Sequence, residues 1–223
     1  MLEVEKAQVV EYGKRLISSG LTSGTGGNVS IFNPEKELMA ISPSGIDYFA
    51  TEIDDVVLMD LDGNVVEGNR KPSSEWQMHL IYYQKRRKDV QAVVHAHATF
   101  STILAICRKS LPATAYQIAM AGGEDVRCSE YATFGTRELA EVSFEAMEDR
   151  YACFLANHGL LTCGQSIEQA FGIAEEVERM AGLYIGASLF GDPVVLEKTE
   201  INRIIDRLKF YGQVVEDKWV RLL

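Results

Sequence analysis

Ala92-Val93-Val94-His95-Ala96-His97 is the stretch on which the reading of the fold turns. It is a short apolar run of the length of a buried strand. Residues two apart on a strand project to the same face, so the His95 and His97 imidazoles leave its end together. A helix pattern follows, from about Phe100 to Cys107. Further on, Cys153-Phe154-Leu155-Ala156 reads as a second apolar strand, and it too runs into a histidine, in Asn157-His158-Gly159. Pairing of these two strands is expected to bring three imidazoles to one rim. From spacing alone two readings stand. Three neutral nitrogen ligands with an open position hold a catalytic divalent metal, most often zinc. Strand-end histidines making ordinary hydrogen bonds fit the same spacing. The fourth histidine, His79, shares a helix face with Glu75 four residues earlier and reads as a packed helix histidine outside the metal set.

Outward from this centre, residues 2–19 show helix spacing with Gly20 as the stop, followed by a Thr/Ser/Gly loop over 22–27. Val29–Phe32 and Leu38–Ile41 read as strands. Val56–Met59 and Val65-Val66 flank Asp62-Gly63-Asn64 as a hairpin. Ser73 and Ser74 precede a helix pattern that ends in Lys85-Arg86-Arg87-Lys88, hydroxyls first and cations last. Thr136–Met147, Ile167–Leu189 and Glu197–Tyr211 read as further helices. With no repeat, linker or composition break, the expectation is one α/β domain with helices on the sheet faces.

The chain has 223 residues and a net charge of −10, with 47% hydrophobic and 24% charged residues. This is globular composition, and the acidic balance argues against a nucleic-acid surface. No apolar run approaches the roughly 18 residues of a membrane span, and the N-terminus shows no signal-peptide core. Cys107, Cys128, Cys153 and Cys163 form no CxxC pair, which fits reduced thiols and a cytoplasmic location.

Glu75, after Ser73-Ser74 at a predicted helix start, suits helix capping, and equally a general acid/base beside a metal-bound substrate. Gly24–Asn28, Ser42-Pro43-Ser44-Gly45 and Ser73-Ser74 are three small, donor-rich turns. Converging with a helix N-terminus, they could bind one phosphate without a cation. There is no P-loop lysine and no G-x-G-x-x-G, so a nucleotide site is not expected. A closed structural metal site is the reading from a different class. Such sites take four ligands, often cysteine, and no cysteine lies within two residues of the histidine motifs.

Five segments in order, Gly26-Gly27-Asn28-Val29-Ser30, Ser42-Pro43-Ser44-Gly45, Lys71-Pro72-Ser73-Ser74-Glu75, His95-Ala96-His97 and Asn157-His158-Gly159, resemble the class II (zinc-dependent) sugar-phosphate aldolase and epimerase family. The resemblance runs from about residue 5 to residue 213. Within the family, Tyr131-Ala132-Thr133-Phe134-Gly135-Thr136-Arg137-Glu138-Leu139 is similar to the branch that cleaves L-fuculose 1-phosphate. Glu75 stands where the related ribulose-phosphate epimerases carry Asp.

The resemblance implies a single class II aldolase domain over 1–223, with a mostly antiparallel central sheet, helices on both faces and four-fold tetrameric assembly. It implies one zinc ion per subunit on His95, His97 and His158, joined by Glu75 when substrate is absent. Glu75 is then the catalytic acid/base. Gly27, Asn28, Ser44, Gly45, Ser73 and Ser74 form the phosphate site. Tyr116 reaches the aldehyde end across a subunit interface, and Tyr211 belongs to the C-terminal tail. The implied reaction is reversible cleavage of L-fuculose 1-phosphate to dihydroxyacetone phosphate and L-lactaldehyde. On the same scaffold the alternatives are a ribulose-5-phosphate 4-epimerase, a methylthioribulose-1-phosphate dehydratase, or an aldolase for another deoxy-ketose 1-phosphate.

Overall fold

The structure is a computed structural model that describes residues 1–208 and 210, together with the backbone of 214–215 and 218–219. Helix α1 (Glu3–Ser18) is followed by β1 (Asn28–Asn33), β2 (Leu38–Ile41), β3 (Val57–Asp60), β4 (Val65–Glu67), α2 (Trp76–Lys85) and β5 (Ala92–Ala96). Then come α3 (Thr99–Ile106), β6 (Leu111–Pro112), β7 (Asp125–Cys128), α4 (Arg137–Ala146), β8 (Ala152–Leu155), β9 (Gly159–Gly164), α5 (Ile167–Ser188) and α6 (Lys198–Leu208). Among the described residues β1–β9 form one sheet in the order β4-β3-β2-β1-β5-β9-β8-β7-β6. Every neighbouring pair is antiparallel except β7 and β8. The α/β expectation of a mostly antiparallel sheet covered by helices on both faces therefore holds.

Alternation along the strands divides the core in two. Val29 and Ile31 of β1 and Ala92, Val94 and Ala96 of β5 face a layer formed with α1, α3 and α5, in which Phe171 and Leu16 are fully buried. Phe32 and Val93 face the opposite layer, where Tyr82, Tyr83 and Met78 of α2 meet Leu139 and Ala140 of α4. Each such large buried side chain contributes on the order of 1.5–3 kcal/mol. His95 is two residues from Val93, so it too stands on the α2 side, at the end of the sheet where β5 runs out. Asn28 is its register partner on β1.

Three expectations change. The two histidine-ended strands do not pair with each other: β9 lies between β5 and β8 and pairs with both. The chain reverses at Asn157, which sits at φ +56°, a conformation Asn tolerates better than most residues. His158 therefore tops a hairpin adjacent to β5. Second, α2 starts at Trp76, so Glu75 is the N-cap residue, not part of the first turn. No side chain caps the helix there, because the Glu75 carboxylate turns into the site. Third, the stretch 108–135, which shows no period in the sequence, contains β6, β7 and a 3₁₀ segment at Tyr116–Ala121. These pieces are too short to display a period. The predicted helix over 197–211 is α6, ending at Leu208. Tyr211 lies outside the described residues. Among the described residues no helix is long and apolar enough to cross a membrane.

Candidate metal centre and anion cleft

Three elements deliver three imidazoles to one point. His95 ends β5, His97 follows it by two residues, and His158 sits on the β8–β9 turn. Their ligand atoms lie within 4.8 Å of one another. His95 Nε2 is 3.0 Å from His97 Nε2, which is 3.1 Å from His158 Nε2. The tautomer of His95 follows from its partner. Nδ1 lies 2.9 Å from the Leu160 carbonyl oxygen, an obligate acceptor, so Nδ1 carries the proton and Nε2 presents a lone pair. Glu75 Oε2 faces that lone pair at 3.3 Å, and Glu75 Oε1 is 3.5 Å from His158 Nε2. Oε1 is buried without a hydrogen-bond partner. A lone pair and a carboxylate turned toward each other suit a cation, and a nitrogen-rich, tetrahedral-type donor set with an open side suits a divalent one. The residues fit the metal that the sequence implied.

The electrostatics agree with neutral imidazoles. Burial, then the charges of His158 and His97, hold the His95 pKa well below the ordinary histidine value. Burial and then His158 lower that of His97, with Glu75 opposing. His79, fully buried, is lowered to about 3, mainly by burial. A histidine whose folded pKa lies below its unfolded value stabilises the fold above the unfolded pKa of about 6.5. That stabilisation is lost as pH falls from there toward the folded value. The metal-free protein is accordingly expected to lose several kcal/mol of stability between about pH 6.5 and pH 3 through His79, with His95 acting in the same direction. Urea midpoints measured across this range check it, and a flat profile contradicts it.

Beside the histidines a cleft of ≈ 350 Å³ is lined by the three turns. All six residues of the expected phosphate site, Gly27, Asn28, Ser44, Gly45, Ser73 and Ser74, line it together with Glu75, His97 and His158. The turns are stitched to one another. The Ser44 N–H donates to the Lys71 carbonyl (2.9 Å) and the Ser73 N–H to the Ser42 carbonyl (3.0 Å). The Val29 N–H donates to Ser42 Oγ (3.2 Å), and the Tyr48 hydroxyl donates to the Gly27 carbonyl (2.7 Å). The N-terminus of α2 begins directly after Ser73-Ser74-Glu75, and its unpaired N–H groups favour an anion. No lysine or arginine is among the described lining residues.

Gly27 is fixed by two constraints. Its φ is +72°, and a Cβ there would stand 2.7 Å from the His95 carbonyl oxygen. Gly27→Ala is expected to destabilise by roughly 1–3 kcal/mol from backbone strain alone, and to displace the end of β5 that carries the ligands. Thermal unfolding with metal analysis checks this, and wild-type values for both contradict it.

Tyr116 begins the 3₁₀ segment, is 56% exposed and does not line the cleft of its own chain. Sequence reasoning did not single out Thr25, Tyr131, Phe134 or Asn157 as site residues, and all four line the cleft. The signal was present in the Tyr131–Leu139 segment, whose Gly135 at φ +71° packs a bend against the Ser74 carbonyl. That bend carries Phe134 and Tyr131 over the cleft mouth, where both are more than half exposed.

Residues 7–185 match the family described as Class II Aldolase and Adducin N-terminal domain. The chain is 50% identical to a 5-deoxy-D-ribulose 1-phosphate aldolase of Bacillus thuringiensis, over 96% of this chain and 99% of that one. It is 41% identical to the L-fuculose phosphate aldolase of Escherichia coli K12, over 94% and 96% of the two chains. A solved structure of an L-fuculose 1-phosphate aldolase superimposes with a TM-score of 0.90 at 53% identity, covering 92% of this chain and 96% of that chain. With the three-histidine group and its cleft in place, these matches over nearly the whole length establish that the chain belongs to the class II aldolase family and is a lyase of that family.

Proposed function

We propose that the protein cleaves a deoxy-ketose 1-phosphate between C3 and C4, releasing dihydroxyacetone phosphate and a short aldehyde. The observation that carries this is the junction of the buried Glu75 carboxylate, the three histidines and a cation-free anion cleft at one end of the sheet. The names of the relatives share a 1-phosphate and a deoxygenated far end, which for L-fuculose 1-phosphate gives L-lactaldehyde and for 5-deoxyribulose 1-phosphate gives acetaldehyde. In the account proposed here the protein is a cytoplasmic homotetramer of 1–223 single-domain subunits with sites at their interfaces.

Zinc held by His95, His97 and His158, one per subunit, supplies the Lewis acidity that stabilises the charge left on the triose-phosphate half. The Gly27, Asn28, Ser44, Gly45, Ser73 and Ser74 turns hold the 1-phosphate at a distance from the reacting carbons and fix their orientation. Tyr116 of a neighbouring copy takes the proton of the C4 hydroxyl as its own hydroxyl proton passes to solvent, from which Glu75 takes up one proton. The C3–C4 electron pair passes to a C2–C3 enediolate as C4 becomes the aldehyde carbon. Glu75 delivers the proton that C3 then needs, and removes it in the synthetic direction. Phe134 and Tyr131 offer apolar rings to the deoxygenated end. Tyr211 completes the proposed substrate-binding set.

The test is product analysis with L-fuculose 1-phosphate, 5-deoxyribulose 1-phosphate and L-ribulose 5-phosphate side by side. Release of dihydroxyacetone phosphate from at least one 1-phosphate, with no epimerisation of the 5-phosphate, is the expected result. Epimerisation, or loss of water from a ketose 1-phosphate without carbon–carbon cleavage, contradicts the proposal.

A further inference from the structure

His79 contributes nothing to the histidine cluster and faces no solvent, yet both its ring nitrogens are engaged. Nε2 is 2.5 Å from Asn28 Oδ1, and Nδ1 is 2.6 Å from Ser30 Oγ. The other end of the Asn28 amide, Nδ2, donates to Glu75 Oε2 at 3.0 Å. Ser30 Oγ is in turn 2.6 Å from the Tyr83 hydroxyl, which is also 3.0 Å from the Ser30 carbonyl oxygen. This is a buried polar chain running Tyr83–Ser30–His79–Asn28–Glu75, with members from α2, β1 and the N-cap of α2.

The chain has one direction. Asn28 Nδ2 donates to Glu75 Oε2, so the carbonyl oxygen of the same amide faces His79. His79 must then carry its proton on Nε2 and accept at Nδ1, where Ser30 donates. Its burial keeps it neutral, with one proton to place. Reversing any link leaves two acceptors or two donors facing each other in a buried site, which is costly. We propose that His79 is a positioning residue for the aldol chemistry: by locking the Asn28 amide, whose NH₂ donates to Glu75 Oε2, it fixes the orientation of the Glu75 carboxylate and leaves Oε1 as its free oxygen. Oε1 is the oxygen without a partner, and it lies on the His158 side. The inference rests on the proposed role of Glu75, but the tautomer of His79 does not.

The experiment has two readouts. In purified protein with ¹⁵N-labelled histidine, near neutral pH, the His79 ring is expected with Nε2 protonated and Nδ1 bare, before and after metal removal. In kinetics, His79→Leu is expected to lower kcat about 10–100-fold, with bound metal at the wild-type level and KM changed less than about 3-fold. His79→Gln, whose amide places a donor where Nε2 stood, is expected to recover most of that loss. Ser30→Ala, a smaller change that removes only the donor to Nδ1, is expected to lower kcat less than His79→Leu at constant KM, and it keeps the kinetic arm decisive if His79→Leu does not fold. An Nδ1-protonated ring, wild-type kcat in His79→Leu, or metal loss parallel to activity loss in all three variants overturns the inference. A wild-type protein that cleaves no ketose phosphate refutes the proposed function, and the nitrogen spectrum still decides the chain.

Discussion

Glu75→Gln lowers kcat by about 10²–10⁴-fold while the purified protein keeps its metal. The substitution preserves shape and removes the carboxylate proposed to carry the proton to and from C3. The Asn28 NH₂ retains an acceptor, because the glutamine carbonyl oxygen can occupy the place of Oε2, 3.0 Å from Asn28 Nδ2. His95, His97 and His158 remain to bind the ion. The loss therefore falls on the chemical step, corresponding to about 3–5 kcal/mol of transition-state stabilisation. Binding of substrate through the phosphate cradle changes little. Steady-state kinetics together with metal analysis check this. Near-full activity removes Glu75 from the acid/base role, and a parallel loss of metal recasts it as chiefly a ligand.

His97→Ala abolishes metal binding and activity together. Of the three histidines, His97 gives the cleanest test because it is the most exposed, whereas His95 is completely buried and hydrogen-bonded to the Leu160 carbonyl. Removing the His95 ring opens a hole in the core at the end of β5, so any loss of metal there is entangled with loss of structure. Removing His97 leaves the fold and, with substrate absent, two imidazoles and the Glu75 carboxylate, a donor set too weak to hold a divalent ion through desalting. The expected drop in affinity exceeds the roughly 10–100-fold that loss of a supporting partner costs. Metal content after desalting, with an unfolding curve on the same sample, is the measurement. Unchanged metal content takes His97 out of the ligand set.

Much of the site was legible because its signals are local. His95 and His97 announce themselves by the two-residue spacing of a strand, and the Gly27, Ser44 and Ser73 turns by their composition. What was not legible depends on contacts between elements distant in sequence. The interposed strand β9 is one case: Gly159–Gly164 is as apolar as its neighbours, so nothing local marks where β8 ends and the hairpin begins. The left-handed turn at Asn157 sets that boundary. His79 is the second case. As a lone histidine on an apolar helix face it reads as packing. Its connection to Glu75 passes through Asn28, and its other ring nitrogen meets Ser30, both some fifty positions away in sequence, so the chain appears only once β1 lies against α2. Phe134 and Tyr131 are the third. Exposed aromatics after a strand carry no signal of their own until the bend at Gly135 brings them over the cleft.

In the proposed reaction, substrate choice turns on the aldehyde end of the cleft, while the proposed phosphate turns and metal donors serve every candidate substrate. The measurement that bears most directly on the central claim is a coupled assay for dihydroxyacetone phosphate released from a deoxy-ketose 1-phosphate, run on the native protein, after chelation, and after zinc is returned. Release that is lost with the chelator and restored by zinc is the predicted result. Release that persists undiminished in protein shown to be metal-free contradicts the account.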